Sequence, residues 1–471
     1  MFWALPSFAG NALWLYLEDK VSVEAVKMKL DEHINLRYYS PALHALSVSL
    51  GDDFDEDEEL EKLAEMPGVK LLQPVGKLKT PKPTYLELQI KKTSASDYGP
   101  AYHQLDMLGI TKLNELGYWG EGVRIGLLDQ GFKTNLNAFK HILDDNRLVA
   151  EYDFVYGDRN TSDEADEGTY GIAQKHGTGT WSIIGAYEEG KYSGGAPKAE
   201  FALAKTEDMR WELPMEEDNY VAGIEFMVAN NMDIVSVSLA YMDFDGTEFD
   251  YTFEDLDGQT TAAAKICNWA AKQGLIIVQS AGNEGLDGAS SIWTPADAPS
   301  VITVGSVNSY GIISDFSSRG PTADGRIKPD VVALGEYVYM IGTDNNVRAG
   351  NGTSFATPLV ACGIALLKEM HPEWTVEELF AKFEEFSEQG IKDNAYGWGM
   401  PDFYKIAIES PVSPVINFKI FPNPTDYLLN LKWISGGDCR KRVSIYDLLG
   451  REISNYSMYS LIEGFQTVIR V

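Results

Sequence analysis

Positive charge, histidine and cysteine are all scarce in this chain of 471 residues. Lys and Arg number 39 against 70 Asp and Glu, for a formal net charge of −31. Nucleic-acid phosphates are held by clustered Lys and Arg, so the balance argues against a nucleic-acid partner. A surface this acidic fits a soluble, secreted protein. Cys267, Cys362 and Cys439 are an odd number without metal-site spacing, and Cys362 reads as a small apolar core residue. No apolar run reaches the length of about 20 residues that spans a bilayer, so no transmembrane segment is expected. Apolar residues make up 44% of the chain, ample for a large core. The length suits two or three domains.

The most informative stretch is residues 349–370, AGNGTSFATPLVACGIALLKEM. It reads as a Gly-rich turn running into a helix, with Pro358 in the first turn, where a missing N–H is no loss. A helix apolar on every side is buried, so its N-terminus faces an interior cleft. Ser354 then has free backbone N–H groups and the positive end of the helix dipole beside its oxygen. The same position suits a side-chain helix cap, and residue type alone leaves cap and nucleophile both open.

Other stretches tip the balance. VRIGLLDQGF (123–132) is an apolar run ending in Asp129 and a Gly turn. HGTGTWSIIGA (176–186) places His176 at the start of a small-residue helix. QSAGNEG (279–285) puts Gly282 and Asn283 just past another apolar run. The chain order Asp, His, Ser is that of the subtilisin-type triad. GTSFATP, HGTGT, SAGNEG and the strand ending in Asp129 together resemble the subtilisin-like (S8-type) serine proteases, over roughly residues 99–410. Each motif is weak alone; four in order are specific.

The coarse pattern agrees. VRIGLL, LVAEYDF, AEFALAK, DIVSVSL, LIIVQS and VITVGSV read as buried strands, with helical patterns over 219–231 and 259–273 between some of them. Alternation of this kind gives an α/β fold, a doubly wound parallel sheet flanked by helices. Ligands bind such sheets beyond the carboxyl ends of the strands, and Asp129 and Asn283 both closely follow strand ends. Residues 11–92 form a separate α+β module: LWLYLEDK and TYLELQI read as strands and VEAVKMKLDEHI as an amphipathic helix. The resemblance makes this module a propeptide, which serves such proteases as folding template and temporary inhibitor. KKTSASDYGP (91–100) has linker composition, and processing is expected near it. The catalytic domain is expected over 98–410.

A serine hydroxyl needs a base, and a near-neutral imidazole is the natural one. Of the six histidines, His33 and His44 fall in the propeptide-like module and His371 follows the nucleophile helix. His103 and His141 lack a Gly-rich setting, which leaves His176. Asp129 would hold the imidazole tautomer, although strand-end aspartates are also common turn residues. Asn283 would donate to the oxyanion, although an Asn turn fits the same sequence. The resemblance further implies that Ser238, Leu239 and Ala240 pair with an extended polypeptide substrate, with Gly282 beside them. The family usually has Gly where Ala240 stands, which reshapes the neighbouring primary pocket. No cofactor is required. Family members often carry structural calcium, but the acidic loops at 158–167 and 243–257 lack diagnostic ligand spacing, so no ligand is assigned. The acidic run 52–59 reads as a solvated loop rather than a calcium site.

Departures from the family pattern are Gln130 where Ser or Thr is usual, Leu334 where Pro is usual, and Thr180 and Trp181 where small apolar residues are usual. A Trp this close to the histidine is expected to narrow the cleft. None of these removes a catalytic atom.

The ends point to export. Residues 1–10, MFWALPSFAG, resemble the apolar end of a signal peptide without its positive leader; ordinary strand residues are the alternative. After the Pro-containing linker 410–418, residues 415–471 read as a small β-sandwich. FPNPTDYLLNL and VSIYDLLGREI within it resemble the C-terminal sorting domain of the type IX secretion system of Bacteroidetes. The expected closing strands and basic end are missing, so truncation at both ends is an expectation; a generic accessory binding module is the alternative. The resemblance implies secretion machinery as a partner and a secreted or cell-surface location. The expected function is a secreted serine endopeptidase. The competing reading is a catalytically silent, surface-attached binding protein on the same scaffold. A lipase is disfavoured, because no Gly-x-Ser-x-Gly elbow surrounds Ser354.

Overall fold

The computed structural model describes residues 12–30, 34–50, 60, 62–74, 84–86, 98–164, 167, 171, 173–208, 215–241 and 251–410, and five strands beyond them. Its centre is a seven-stranded parallel sheet of β6 (Arg124–Asp129), β7 (Leu148–Asp153), β10 (Glu200–Lys205), β11 (Ile234–Val237), β12 (Ile276–Ser280), β13 (Val301–Val307) and β14 (Val331–Leu334), in the order β14-β13-β12-β11-β6-β10-β7. The inner strands are continuously buried and rich in Val, Ile and Leu, as strands covered on both faces must be. The strand order reverses beside β6, and the crevice at such a reversal lies beyond the strands' carboxyl ends. Asp129 is the last residue of β6.

The helix Thr353–Met370 packs against β11, β12, β13 and β14. Almost every residue in it is buried, as its uniform apolarity requires. The stretch before it is not a free turn. Residues 347–351 form β16 (Val347–Asn351), paired antiparallel with β15 (Val338–Ile341). Pro358 is also placed differently from the expectation: it lies inside the helix, one turn beyond its start. Its missing N–H leaves the Ser354 carbonyl, four residues back, without a helical donor, and Ser238 Oγ supplies the bond at 2.9 Å.

Before the large sheet, β1 (Ala12–Leu17), β2 (Ile34–Ser40), β3 (Ala45–Leu50) and β4 (Val69–Pro74) form an antiparallel sheet in the order β2-β3-β1-β4. The predicted helix in this region runs only over Val23–Lys27. The sheet packs through Trp14, Tyr16 and Ala45 onto the helices Met215–Ala229 and Ala262–Lys272. Across this junction Arg37 meets Asp218 at 2.7 Å. Glu225 accepts from the hydroxyls of Tyr38 and Ser40 and from Ala42 N–H. A short strand, β5 (Thr84–Leu86), runs antiparallel to β16 just upstream of Ser354. Both sheets lie in one compact unit, residues 1–406.

The second unit, residues 407–471, contains the sheet β17-β18-β21 (Phe418–Phe421, Leu428–Trp433, Gln466–Arg470) and the hairpin β19-β20 (Lys441–Tyr446, Glu452–Met458). Two small antiparallel sheets are what alternating residues with turn signals specify. The signal-like residues 1–10, the acidic run 52–59 and the linker up to residue 97 lie outside the described residues, as does most of the 243–257 loop.

Candidate active site

Three elements bring the acid, the imidazole and the alcohol to one rim. β6 delivers Asp129, the helix Gln174–Gly185 carries His176 in its first turn, and Ser354 is the second residue of its own helix. His176 Nδ1 lies 2.7 Å from Asp129 Oδ1. The same carboxylate accepts from Gln130 N–H at 2.8 Å and from Thr180 Oγ1 at 3.0 Å. These donors fix its plane and so the plane of the ring. Gly177 permits the approach: a Cβ there would sit 2.3 Å from Gly131 O and 3.0 Å from Asp129 Cβ.

The imidazole packs beside the nucleophile helix, with 5.7 Å between the His176 and Phe355 ring centroids. His176 Nε2 and Ser354 Oγ are both buried, and neither has a hydrogen-bond partner among the described residues. Buried polar atoms are normally paired, and these two unpaired ones sit on helices that pack against each other. The capping alternative for Ser354 does not hold: the cap position is Gly352, and Ser354 Oγ caps nothing.

Asn283 is fixed from below. Its Oδ1 accepts from Thr353 N–H at 2.9 Å and from Thr353 Oγ1 at 3.0 Å, which leaves the amide N–H2 for the cleft. A Cβ on Gly352 would lie 3.6 Å from Asn283 Nδ2 and 3.7 Å from Ser354 N. Two donors therefore border one small space that only glycine at 352 keeps empty. Gly282 joins the same cluster, its carbonyl accepting from Thr353 Oγ1 and from Ser318 N–H. Ser238 touches the nucleophile residue itself, and Leu239 O accepts from the Gln279 side chain. All eight residues singled out in the sequence thus gather at the carboxyl ends of β6, β11 and β12.

Trp181 does not narrow the cleft. It is fully buried, stacked on Phe139 at 3.7 Å and edge-on to Phe132 and Phe201. Five residues along a helix from His176, it faces the core rather than the rim. Thr180, by contrast, is four residues along and shares the histidine's face; that spacing was the signal for its bond to Asp129. Glu207 had no such signal. It is buried beyond the end of β10, its Oε1 accepts from Thr206 and Tyr241, and its Oε2 has no hydrogen-bond partner among the described residues. Burial above all, with Asp129 nearby, pushes its carboxyl up to about 8.

At the acidic loop 158–167, Glu167 and Asp153 each hold the buried Lys205 Nζ at 2.9 Å, and Asp158 accepts from Asn160 N–H. No group of three or more His, Cys, Asp or Glu among the described residues fits a metal ion, and no helix among them is long and apolar enough to cross a membrane.

Comparison with known proteins bears on this arrangement. Subtilisin E of Bacillus subtilis is 28% identical over 292 residues, which is 61% of this chain and 66% of that protein. Serine protease AprX of the same organism is 27% identical over 288 residues, 55% of this chain and 60% of that one. The matched region therefore spans slightly less than two thirds of these relatives' lengths. In fold, the chain superposes on the crystal structure of an epidermin leader peptide processing serine protease from Staphylococcus aureus. The TM-score is 0.60 at 17% identity, covering 84% of this chain and 97% of that one. Residues 120–399 match the Peptidase S8, or subtilase, family. Because that match takes in more than half of the chain and encloses every strand of the seven-stranded sheet, this protein belongs to the subtilase family.

Proposed function

We propose that this protein is a secreted serine endopeptidase that hydrolyses peptide bonds in extended polypeptides. The observation that carries the reading is the Asp129–His176 contact at 2.7 Å, set beside a buried His176 Nε2 and a buried Ser354 Oγ that are both left unpaired. Each atom then has a task. Substrate enters with its scissile carbonyl over Ser354. Oγ attacks the carbonyl carbon while His176 Nε2 takes the hydroxyl proton. Asp129 holds Nδ1–H and stabilises the imidazolium. The new oxyanion sits between Asn283 Nδ2 and Ser354 N–H. As the C–N bond breaks, the imidazolium gives its proton to the leaving amine. Water, deprotonated by the same histidine, then cleaves the acyl ester and restores the serine.

The N-terminal sheet is proposed as a propeptide. Its docking on two helices of the catalytic domain, and the pairing of β5 with the strand that feeds Ser354, support a leader that occupies the site until it is removed. Residues 415–471 are proposed as an export signal recognised by secretion machinery, with the mature enzyme released or held at the cell surface. A fluorophosphonate probe tests the enzymatic reading. Processed protein should be labelled and should digest casein, and Ser354→Ala should abolish both. Labelling and hydrolysis that survive Ser354→Ala would overturn it; an unlabelled wild-type protein would favour a silent binding protein.

A further inference from the structure

The two segments that border the nucleophile leave neighbouring strands. Ser238, Leu239 and Ala240 follow the end of β11, and Ala281, Gly282 and Asn283 follow the end of β12. Both are tied to the serine helix, through Ser238 Oγ to Ser354 O and through Asn283 Oδ1 to Thr353. A peptide laid along 238–240, with its carbonyl oxygen at Asn283, sends the side chain preceding the scissile bond into the gap between these segments. The floor of that gap therefore decides which residue is accepted.

Residues 291–294 run behind it. Ser291 O lies 3.9 Å from where a Cβ on Gly282 would be. Ile292 clusters with Ala281 and Ala296. Trp293 clusters with Ala240, Tyr251 and Leu256, with Phe253 packed against them. Thr294 O then accepts from Tyr241 N–H at 2.8 Å, and its hydroxyl bonds that of Thr261 at 2.6 Å. Those bonds hold the strand, and with it the indole, against the back of Ala240. Trp293 keeps only 5% of its surface and Ala240 none. The Tyr251 hydroxyl of this cluster donates to the Glu217 carboxylate at 2.9 Å.

We propose that Trp293 closes the floor of the primary specificity pocket, so that the protein cleaves after small residues such as Ala and turns away Phe. The inference rests on the peptidase reading and adds the substrate class. An indole held against Ala240 leaves no volume at that end of the gap for a second large ring. Pocket volume alone discriminates by about 10- to 200-fold per methylene-sized change.

The test is kcat/KM on five otherwise identical peptides carrying Ala, Val, Leu, Phe or Lys before the scissile bond, with processed wild-type protein. Ala should exceed Phe by at least about tenfold. Trp293→Ala should raise the Phe-to-Ala ratio by a similar factor, while Trp293→Phe, which keeps a ring in place, should retain the preference for Ala. A wild-type protein that cuts after Phe as well as after Ala overturns the inference and leaves the peptidase reading standing. So does a folded Trp293→Ala protein with an unchanged profile. Failure to cut any of the five, together with no labelling by the probe, removes the peptidase reading and this inference with it.

Discussion

Ser238 and Pro358 show how a single residue type sets the site. Proline removes one donor, and a serine 120 positions away replaces it, joining the substrate-facing segment to the nucleophile's own carbonyl. Ser238→Ala should strand that buried carbonyl and cost about 1–3 kcal/mol, read as a lower midpoint in denaturant unfolding. Asn283→Ala should lower kcat by about 100- to 1,000-fold with little change in KM, since its amide acts on charge that exists only in the transition state. Glu207 predicts a pH dependence. Its folded-state carboxyl is raised to about 8, against an ordinary value near 4.5, so the folded protein holds a proton that the unfolded chain releases. That contribution to stability is complete below about pH 4.5 and is lost as pH rises through about 8. Glu207→Gln should flatten the fall in unfolding midpoint between pH 5 and pH 9; an unchanged slope would contradict the assignment. The Asp129–His176 contact was legible in the sequence because glycine-rich motifs mark both residues. Glu207 was not, because its burial comes from Tyr241 and from strands that meet it only in the folded chain.

The elements divide in the same way. All six strands read as buried in the sequence are present; five are buried along nearly their whole length, whereas β7, at the sheet edge, is only partly covered. β2 carried no such mark. Ile34–Ser40 has charged and polar residues in mid-strand, and its position depends on partners about 185 residues away: Arg37 on Asp218, Tyr38 and Ser40 on Glu225. Local pattern cannot report a pairing of that range. The helix predicted from residue 23 stops after five residues, because the chain turns there to enter β2. The Arg37–Asp218 pair is nearly buried, and burial pushes Asp218 up to about 7 despite the arginine. Removing one member of a buried pair typically costs about 3–5 kcal/mol. Arg37→Ala should therefore loosen the N-terminal sheet, seen as faster proteolysis of residues 12–74 and weaker inhibition by that module added in trans.

At the scale of the molecule, the tasks proposed for the two units are separate. The subtilase match and every residue of the site lie within residues 1–406. A chain ending at Ser410 should keep the kcat/KM of the full chain, and loss of activity on that truncation would give the C-terminal unit a role in catalysis. The net charge of −31 says nothing of the proposed chemistry, which depends on three side chains at one sheet edge. The most direct measurement is the site of covalent modification. Processed wild-type protein treated with a fluorophosphonate should carry a single adduct, on the peptide containing Ser354, and His176→Ala should slow its formation by at least about 10,000-fold. An adduct on another residue, or one on Ser354 that forms as fast without His176, would contradict the account.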